Sequence, residues 1–285
     1  MKELQRTSSS SFLTGQSKSD VAPSPFLKWA GGKRWLMEKH NRFFPDQISR
    51  YYEPFLGGGS VFFKLRPQKA TLSDVNAELI EVYESIRDEP EAVLAGLEKL
   101  GLKHSPEHFY EVRRKVPSTK IARTVRFLYL NRTCWNGLYR VNKLGEFNVP
   151  IGTKTSVLLP TDDFFSVSRA LARVSLRQCD FAASISHSRE GDFVYCDPPY
   201  TVQHNNNGFL KYNEQIFSWR DQVRLAKTLR AASARGVRFA VSNAEHESIS
   251  NLYKGFKMRV LNRASIISGS NSGRGRYSEM LVTNF

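Results

Sequence analysis

Cysteine is scarce. Three occur among 285 residues, Cys134, Cys179 and Cys196. An odd number without Cys-x-x-Cys spacing excludes a disulfide framework and a thiolate zinc site, and reads as free thiols in a reducing cytoplasm. Long apolar runs are missing. Segments such as Val237–Val241 fall far short of the roughly 20 residues a membrane span requires. The first residues lack the continuous apolar stretch of a secretory signal, so a cytoplasmic location is expected. Acid is under-represented, with 27 Asp+Glu against 42 Lys+Arg and a net charge of +15. That balance repels basic partners and attracts polyanions. Nucleic acid is favoured over a simple solubility charge or an anionic membrane surface. Apolar residues are not short: 40 % of the chain, with 19 Phe and 11 Tyr, fills one large domain or two smaller ones.

Residues 1–24, with Ser8–Ser11 and prolines at 23 and 25, are expected to be a flexible tail, with order beginning near Phe26. Arg50–Phe55, Ala70–Asp74, Phe193–Cys196 and Val237–Val241 are predicted strands. Helices are predicted from Val61, over residues 76–100, ending near Arg132, and over Trp219–Arg235. Phe256–Leu261 and Tyr277–Thr283 suggest a terminal hairpin joined by the Ser268–Arg276 loop, which either tracks phosphates or is merely solvated. Strands alternating with helices imply a mostly parallel α/β sheet. A basic, aromatic block from about 103 to 155 interrupts that rhythm. Turn signals at Asn136-Gly137, Asn142 to Gly145 and Asn148-Val149-Pro150 surround a candidate hairpin inside it.

The predicted strand at Arg50–Phe55 runs into Gly57-Gly58-Gly59-Ser60 and then a helix, an arrangement in which backbone approaches a ligand closely. Phe62 stands where a dinucleotide fingerprint has its third glycine, which argues against NAD. Asp74 closes the following strand, where an acid can accept from ribose hydroxyls. This pair reads either as a nucleoside site or as a glycine-rich turn beside a surface acid.

Asp197 follows an apolar strand directly, at the edge where open α/β sheets bind ligands. Pro198 and Pro199 remove two backbone donors. What remains is an acceptor-rich surface beside the Tyr200 ring. Such a surface suits an exocyclic amine: two acceptors holding its hydrogens direct the nitrogen lone pair at a sulfonium methyl. The displacement then needs mainly positioning and electrostatics, and no metal. Tyr200 can stack on a base taken out of the duplex. Alone, the tetrapeptide also reads as a rigid turn with a helix cap. His204 with Asn205–Asn207 reads as a mobile loop over the base, since no second ligand is spaced to join a metal site.

Several segments together resemble the Dam-type, α-class family of DNA N6-adenine methyltransferases. They are Phe26–Lys33, Glu53–Ser60, Asp74-Val75-Asn76, Phe127–Arg132, Asn136–Arg140, Gly145–Pro150 and Asp197–Tyr200, in the family's order, within a resemblance spanning roughly residues 26–285. The resemblance implies a Rossmann-like S-adenosylmethionine-dependent sheet with an inserted, mainly helical target-recognition domain carrying a β-hairpin. The catalytic domain is then 25–76 plus 160–285, and the recognition domain 77–159. It implies that Trp29 and Lys33 enclose the cofactor, and that Glu53, Pro54, Phe55, Gly57 and Gly59 line its methionine side. Asp74 would hold the ribose, and Asp180 and Phe181 the adenine ring. Asp197, Pro198, Pro199 and Tyr200 would hold the target base. Lys28 and Arg140 match readers of a GATC site, with Asn136 and Leu138 in the same hairpin. Trp135 stands where Tyr is common and can wedge into the duplex. Arg132 and Lys143 beside it, and Asn142 in the turn, complete the expected DNA-contact set.

The expected function is therefore methyl transfer from S-adenosylmethionine to adenine N6 in double-stranded DNA, within GATC or a related short site. The expected state is a monomer, with a companion restriction endonuclease a possible partner. An RNA adenine methyltransferase or a catalytically silent DNA-binding protein are the alternatives.

Overall fold

Runs of apolar residues buried on both faces build the centre of the sheet, as expected for strands covered on both sides. The computed structural model of the chain describes residues 23–142, 144–202, 217–264 and 276–285. Most of the proposed tail, Lys143, the His204 loop and residues 268–275 lie outside the described residues. The strands are β1 (Tyr51–Glu53), β2 (Ala70–Asp74), β3 (Val174–Gln178), β4 (Phe193–Cys196), β5 (Arg238–Ala244), β6 (Lys257–Ala264) and β7 (Arg276–Thr283). They form one seven-stranded sheet of order β3-β2-β1-β4-β5-β7-β6. β1 to β5 pair in parallel. β7 inserts antiparallel between β5 and β6. The sheet expected from the resemblance is thus present, and the predicted terminal hairpin is its β6–β7 pair.

Two predictions change at this level. β3 carries no apolar run, because it is the edge strand and exposes Arg177 and Gln178. The helical stretch over 76–100 is two helices, α3 (Ala77–Asp88) and α4 (Pro90–Leu102). Asn76 caps α3 by accepting the Leu79 N–H at 3.1 Å. Pro90 opens α4 at a position where the lost N–H costs nothing. The remaining helices are α1 (Arg34–His40), α2 (Ser60–Leu65), α5 (Pro106–Arg114), α6 (Lys120–Thr133), α7 (Phe164–Leu171), α8 (Phe181–Ser186), α9 (Trp219–Ala234) and α10 (Glu247–Leu252). Among the described residues, no helix is long and apolar enough to cross a membrane.

Two apolar clusters flank the sheet. One holds Leu225, Leu229, Phe239 and Tyr253. The other runs without a break from Phe62 and Tyr83 into Phe109, Tyr129 and Leu130 of the helical block. α3, at the start of the expected recognition domain, packs on β2 and β3.

Arg132 overturns one expectation. Its side chain is 1 % exposed, not on the surface. The guanidinium donates to both Asp162 oxygens at 2.6 and 2.9 Å, to the Val157 carbonyl at 2.7 Å and to the Phe26 carbonyl at 3.2 Å. No face is left for DNA. Arg132 instead ties α6 to the chain entering the fold and to the loop before α7. Removing one partner of such a pair leaves an uncompensated buried charge. Asp162→Ala is therefore expected to lose about 3–5 kcal/mol of stability, read from the urea midpoint at unchanged m-value.

Candidate active site

The carboxyl edge of the sheet gathers four acids. Glu53 ends β1, Asp74 ends β2 and Asp197 follows β4. Glu279 of β7 lies opposite Ala244, at the end of β5. The strand order reverses between β1 and β4, which opens a crevice at that edge.

On the β1–β2 side the glycine turn is held from within. Asp74 accepts the N–H of Gly57 at 3.2 Å and of Asn76 at 3.0 Å. A carboxylate offers about four lone-pair positions, and the Val75 N–H also bonds to it, so one remains for a hydroxyl donor. Burial raises the Asp74 pKa. Gly57 has φ +46°, and a Cβ there would lie 2.7 Å from the Trp29 ring. The glycine is thus required by Trp29 as much as by any ligand. Trp29 stacks on Tyr139 at 6.1 Å, and Tyr139 on Phe127 at 4.2 Å. Glu53 is 3 % exposed and accepts the Tyr51 hydroxyl at 2.8 Å. Burial pushes its pKa up to about 8, so it is mostly protonated at neutral pH. Phe55 stacks on Phe181 at 5.5 Å, with Phe217 edge-on to Phe55 at 5.4 Å. Asp180 caps α8 and is gripped by Arg224 through two 2.7 Å bonds, which hold its pKa down. Arg224 lies 4.1 Å from the Phe181 ring centroid. A spare acceptor position on Asp74, an aromatic wall and an acid beside it fit a nucleoside with ribose hydroxyls and an exocyclic amine.

On the β4 side Lys33 is the hub. Its side chain is 3 % exposed, and its ammonium lies 3.1 Å from Asp197 Oδ1 and 3.3 Å from Glu279 Oε2. It also donates to the Gly31 carbonyl at 2.8 Å. The Tyr200 hydroxyl donates to Glu279 at 2.8 Å. The Pro199 carbonyl accepts from Gln222 at 3.2 Å, and Gln222 in turn accepts from Asn243 at 3.0 Å. Both amides are fully buried. The Pro199 carbonyl is thus engaged from α9. Burial raises the Asp197 pKa to about 6, against the downward pull of Lys33.

The expected DNA readers converge elsewhere on the same chain entry. Asn131, fully buried, accepts the Lys28 N–H at 3.0 Å and donates to the carbonyls of Lys28 and Gly137 at 2.8 and 3.2 Å. That clamp sets Lys28 against the turn Trp135–Gly137. Trp135 is 53 % exposed, and Asn136 is exposed at φ +56°. Leu138 and Arg140 are half-buried beyond it. Arg140 donates to Asn148 at 2.9 Å, and the Asn148 N–H bonds the Arg140 carbonyl at 3.2 Å, closing the predicted hairpin. The Asn142 side chain accepts from the N–H groups of Leu144 and Glu146 at 2.9 and 3.0 Å, so it builds the hairpin turn. Burial and then the charge of Lys154 lower the Lys28 pKa.

Comparison of the sequence with known proteins points to one group. The profile of the D12 class N6 adenine-specific DNA methyltransferases matches residues 29–267. The chain belongs to that family. A Type II methyltransferase, M1.LlaDCHI of Lactococcus lactis, is 34 % identical over 94 % of this chain and 98 % of its own length. The DNA adenine methylase of Vibrio cholerae is 31 % identical over 90 % of this chain and 94 % of its own. The DNA N-6-adenine-methyltransferase of Escherichia phage P1 is 34 % identical over 90 % of this chain and 34 % of its own.

Four residues of this D12 methyltransferase's site escaped the sequence reading. Glu279, Gln222, Asn243 and Arg224 belong to no local motif. One signal was available for Glu279, a lone acid heading the apolar run Met280-Leu281-Val282. Lys33 was expected at the cofactor, and its ammonium lies against Asp197. The raised Glu53 pKa also makes a stability statement. A carboxyl whose folded pKa exceeds its unfolded value stabilises the fold below the unfolded value and loses that contribution as pH rises through the folded one. The window here runs from 4.5 to about 8. Glu53→Gln is expected to flatten the fall in melting temperature between pH 5 and 8, as followed by calorimetry.

Proposed function

We propose that this D12-class methyltransferase draws its methyl group from S-adenosylmethionine and receives a flipped-out adenine of duplex DNA at Asp197, Pro198, Pro199 and Tyr200. The observation that carries this reading is the Lys33-held Asp197 beside a Pro198 carbonyl to which no described group donates. The bound donor supplies an electrophilic sulfonium methyl. Asp74 accepts from ribose hydroxyls, and Asp180 and Phe181 receive the donor's adenine. Trp29, Pro54, Phe55, Gly57 and Gly59 shape the intervening wall, with Glu53 behind it.

The chain's own groups then do two things. Asp197 and the Pro198 carbonyl accept the two amino hydrogens, which takes the nitrogen lone pair out of ring conjugation. The Asp197 charge would compensate the positive charge that grows on N6 as the new N–C bond replaces the sulfonium S–C bond, a preorganised electrostatic contribution, and the surplus N6 proton would then leave to solvent. Tyr200 offers its ring as a platform for the extruded base.

Residues 77–159 are the target-recognition part, and Trp135 is the wedge that enters the space the adenine leaves. Lys28, Asn136, Leu138 and Arg140 read a GATC or related site, with Arg140 the candidate for a guanine. The protein acts as a monomer on cytoplasmic DNA. A companion endonuclease is supported by the Type II name of the Lactococcus relative.

Asp197→Ala is expected to lower single-turnover methyl transfer by about 10²–10³-fold, the scale for losing one preorganised group, with duplex binding retained in a gel shift. Transfer at the wild-type rate would sink the reading. A protonated Asp197 loses acceptor capacity and charge, so the rate should fall as pH drops through about 6. Arg140→Ala is expected to cost roughly 1–3 kcal/mol of discrimination at a single base position, seen by sequencing methylated DNA.

A further inference from the structure

We propose that Glu279 of β7 is a positioning residue for methyl transfer: it shares the Lys33 ammonium with Asp197 and anchors the Tyr200 hydroxyl, so that the base-holding groups keep one geometry and a net negative charge. This rests on the reading of Asp197–Tyr200 as the adenine site.

An ammonium has three donors, and Lys33 has three acceptors, Gly31 at 2.8 Å, Asp197 at 3.1 Å and Glu279 at 3.3 Å. Paired with Asp197 alone, Lys33 would neutralise it. With Glu279 present, the three charges sum to one negative charge, beside the atom where positive charge develops. The same Glu279 oxygen that meets Lys33 also accepts the Tyr200 hydroxyl at 2.8 Å. Lys33 Nζ sits 4.9 Å from the Tyr200 ring centroid. The ring is therefore held at its tip by Glu279 and against its face by Lys33. A platform fixed in this way meets the base without a search over ring orientations. Glu279 is itself rigid. It is 8 % exposed and registered between Ala244 of β5 and Leu261 of β6.

Among the described residues, the charged and titratable groups facing Asp197 are Lys33 from the loop before α1, Glu53 from β1, Tyr195 and Cys196 of β4, Tyr200 of its own turn and Glu279 of β7. Glu279 pushes the Asp197 pKa upward. Glu279→Gln keeps an acceptor for Tyr200 and removes the charge. Two opposed effects should follow: a slower maximal rate, and an acid limb moved to lower pH. Loose packing alone would not pair those two.

The test is single-turnover transfer from labelled S-adenosylmethionine to duplex DNA across pH 5–8, for wild type, Glu279→Gln and Asp197→Ala, with thermal melting of each. Glu279→Gln is expected to transfer on the order of ten- to a hundredfold more slowly at saturating DNA, up to the cost of a slightly misplaced reacting group, with the half-saturating DNA concentration little changed. A wild-type saturating rate, an unmoved acid limb or a loss confined to the half-saturating concentration overturns the proposal. If Glu279→Gln does not fold, Tyr200→Phe removes the hydroxyl that Glu279 holds and that also bonds Asp197. A lowered rate at unchanged cofactor binding is then expected, and a wild-type rate overturns the proposal. An active Asp197→Ala enzyme would instead overturn the adenine-site reading and this proposal with it. A wild-type Glu279→Gln beside an inactive Asp197→Ala overturns this proposal alone.

Discussion

A buried ammonium must find acceptors, because leaving one unpaired in a protein interior costs several kcal/mol or forces it to give up its proton. Lys33 meets that demand with one backbone carbonyl and two carboxylates, and the acceptors come from distant parts of the chain. Gly31 lies in the entering loop, Asp197 follows β4 and Glu279 belongs to β7. The arrangement needs β7 beside β5, and it needs the entering loop folded over the carboxyl edge of the sheet. The sheet order and the site are thus two views of the same constraint.

The entering loop does a second job. Trp29 presses on the glycine turn from one side and stacks on Tyr139 from the other. One residue earlier, Lys28 is clamped by Asn131 against the Trp135–Gly137 turn. The glycine turn and the Arg140–Asn148 hairpin therefore rest on adjacent residues of a single segment. Tyr139 is further tied to α3 by its hydroxyl bond to Glu78, so the hairpin is braced from the sheet side as well. The helical block has no core of its own, sharing one apolar cluster with the sheet.

What was legible in the sequence had local causes. β4 was visible as a short apolar run because both faces are covered. The Asp-Pro-Pro-Tyr turn and Gly57 were visible because proline and glycine mark backbone geometry wherever they stand. The illegible parts depend on tertiary neighbours. β3 lacks an apolar run because it is an edge. Arg132 looked like one more member of a basic surface, and only the packing of Asp162, Val157 and Phe26 around it shows otherwise. Glu279, Gln222 and Asn243 carry no motif, since each acts on a residue brought to it by the sheet, not by the chain.

β7 has a kinetic consequence. Its insertion between β5 and β6 closes contacts between Lys33 and Glu279 that lie almost the whole sequence apart. Contacts of that separation form late, because loop-closure entropy must be met before they stabilise anything. An intermediate with β1 to β5 assembled and β7 undocked would hold the glycine turn and Asp74, yet its Lys33 and Tyr200 would lack the acceptor that fixes them. Under the function proposed above, such a species would retain the donor while lacking a finished seat for the base. Recovery of methyl transfer during refolding would then report the docking of one strand, later than any signal from the parallel core.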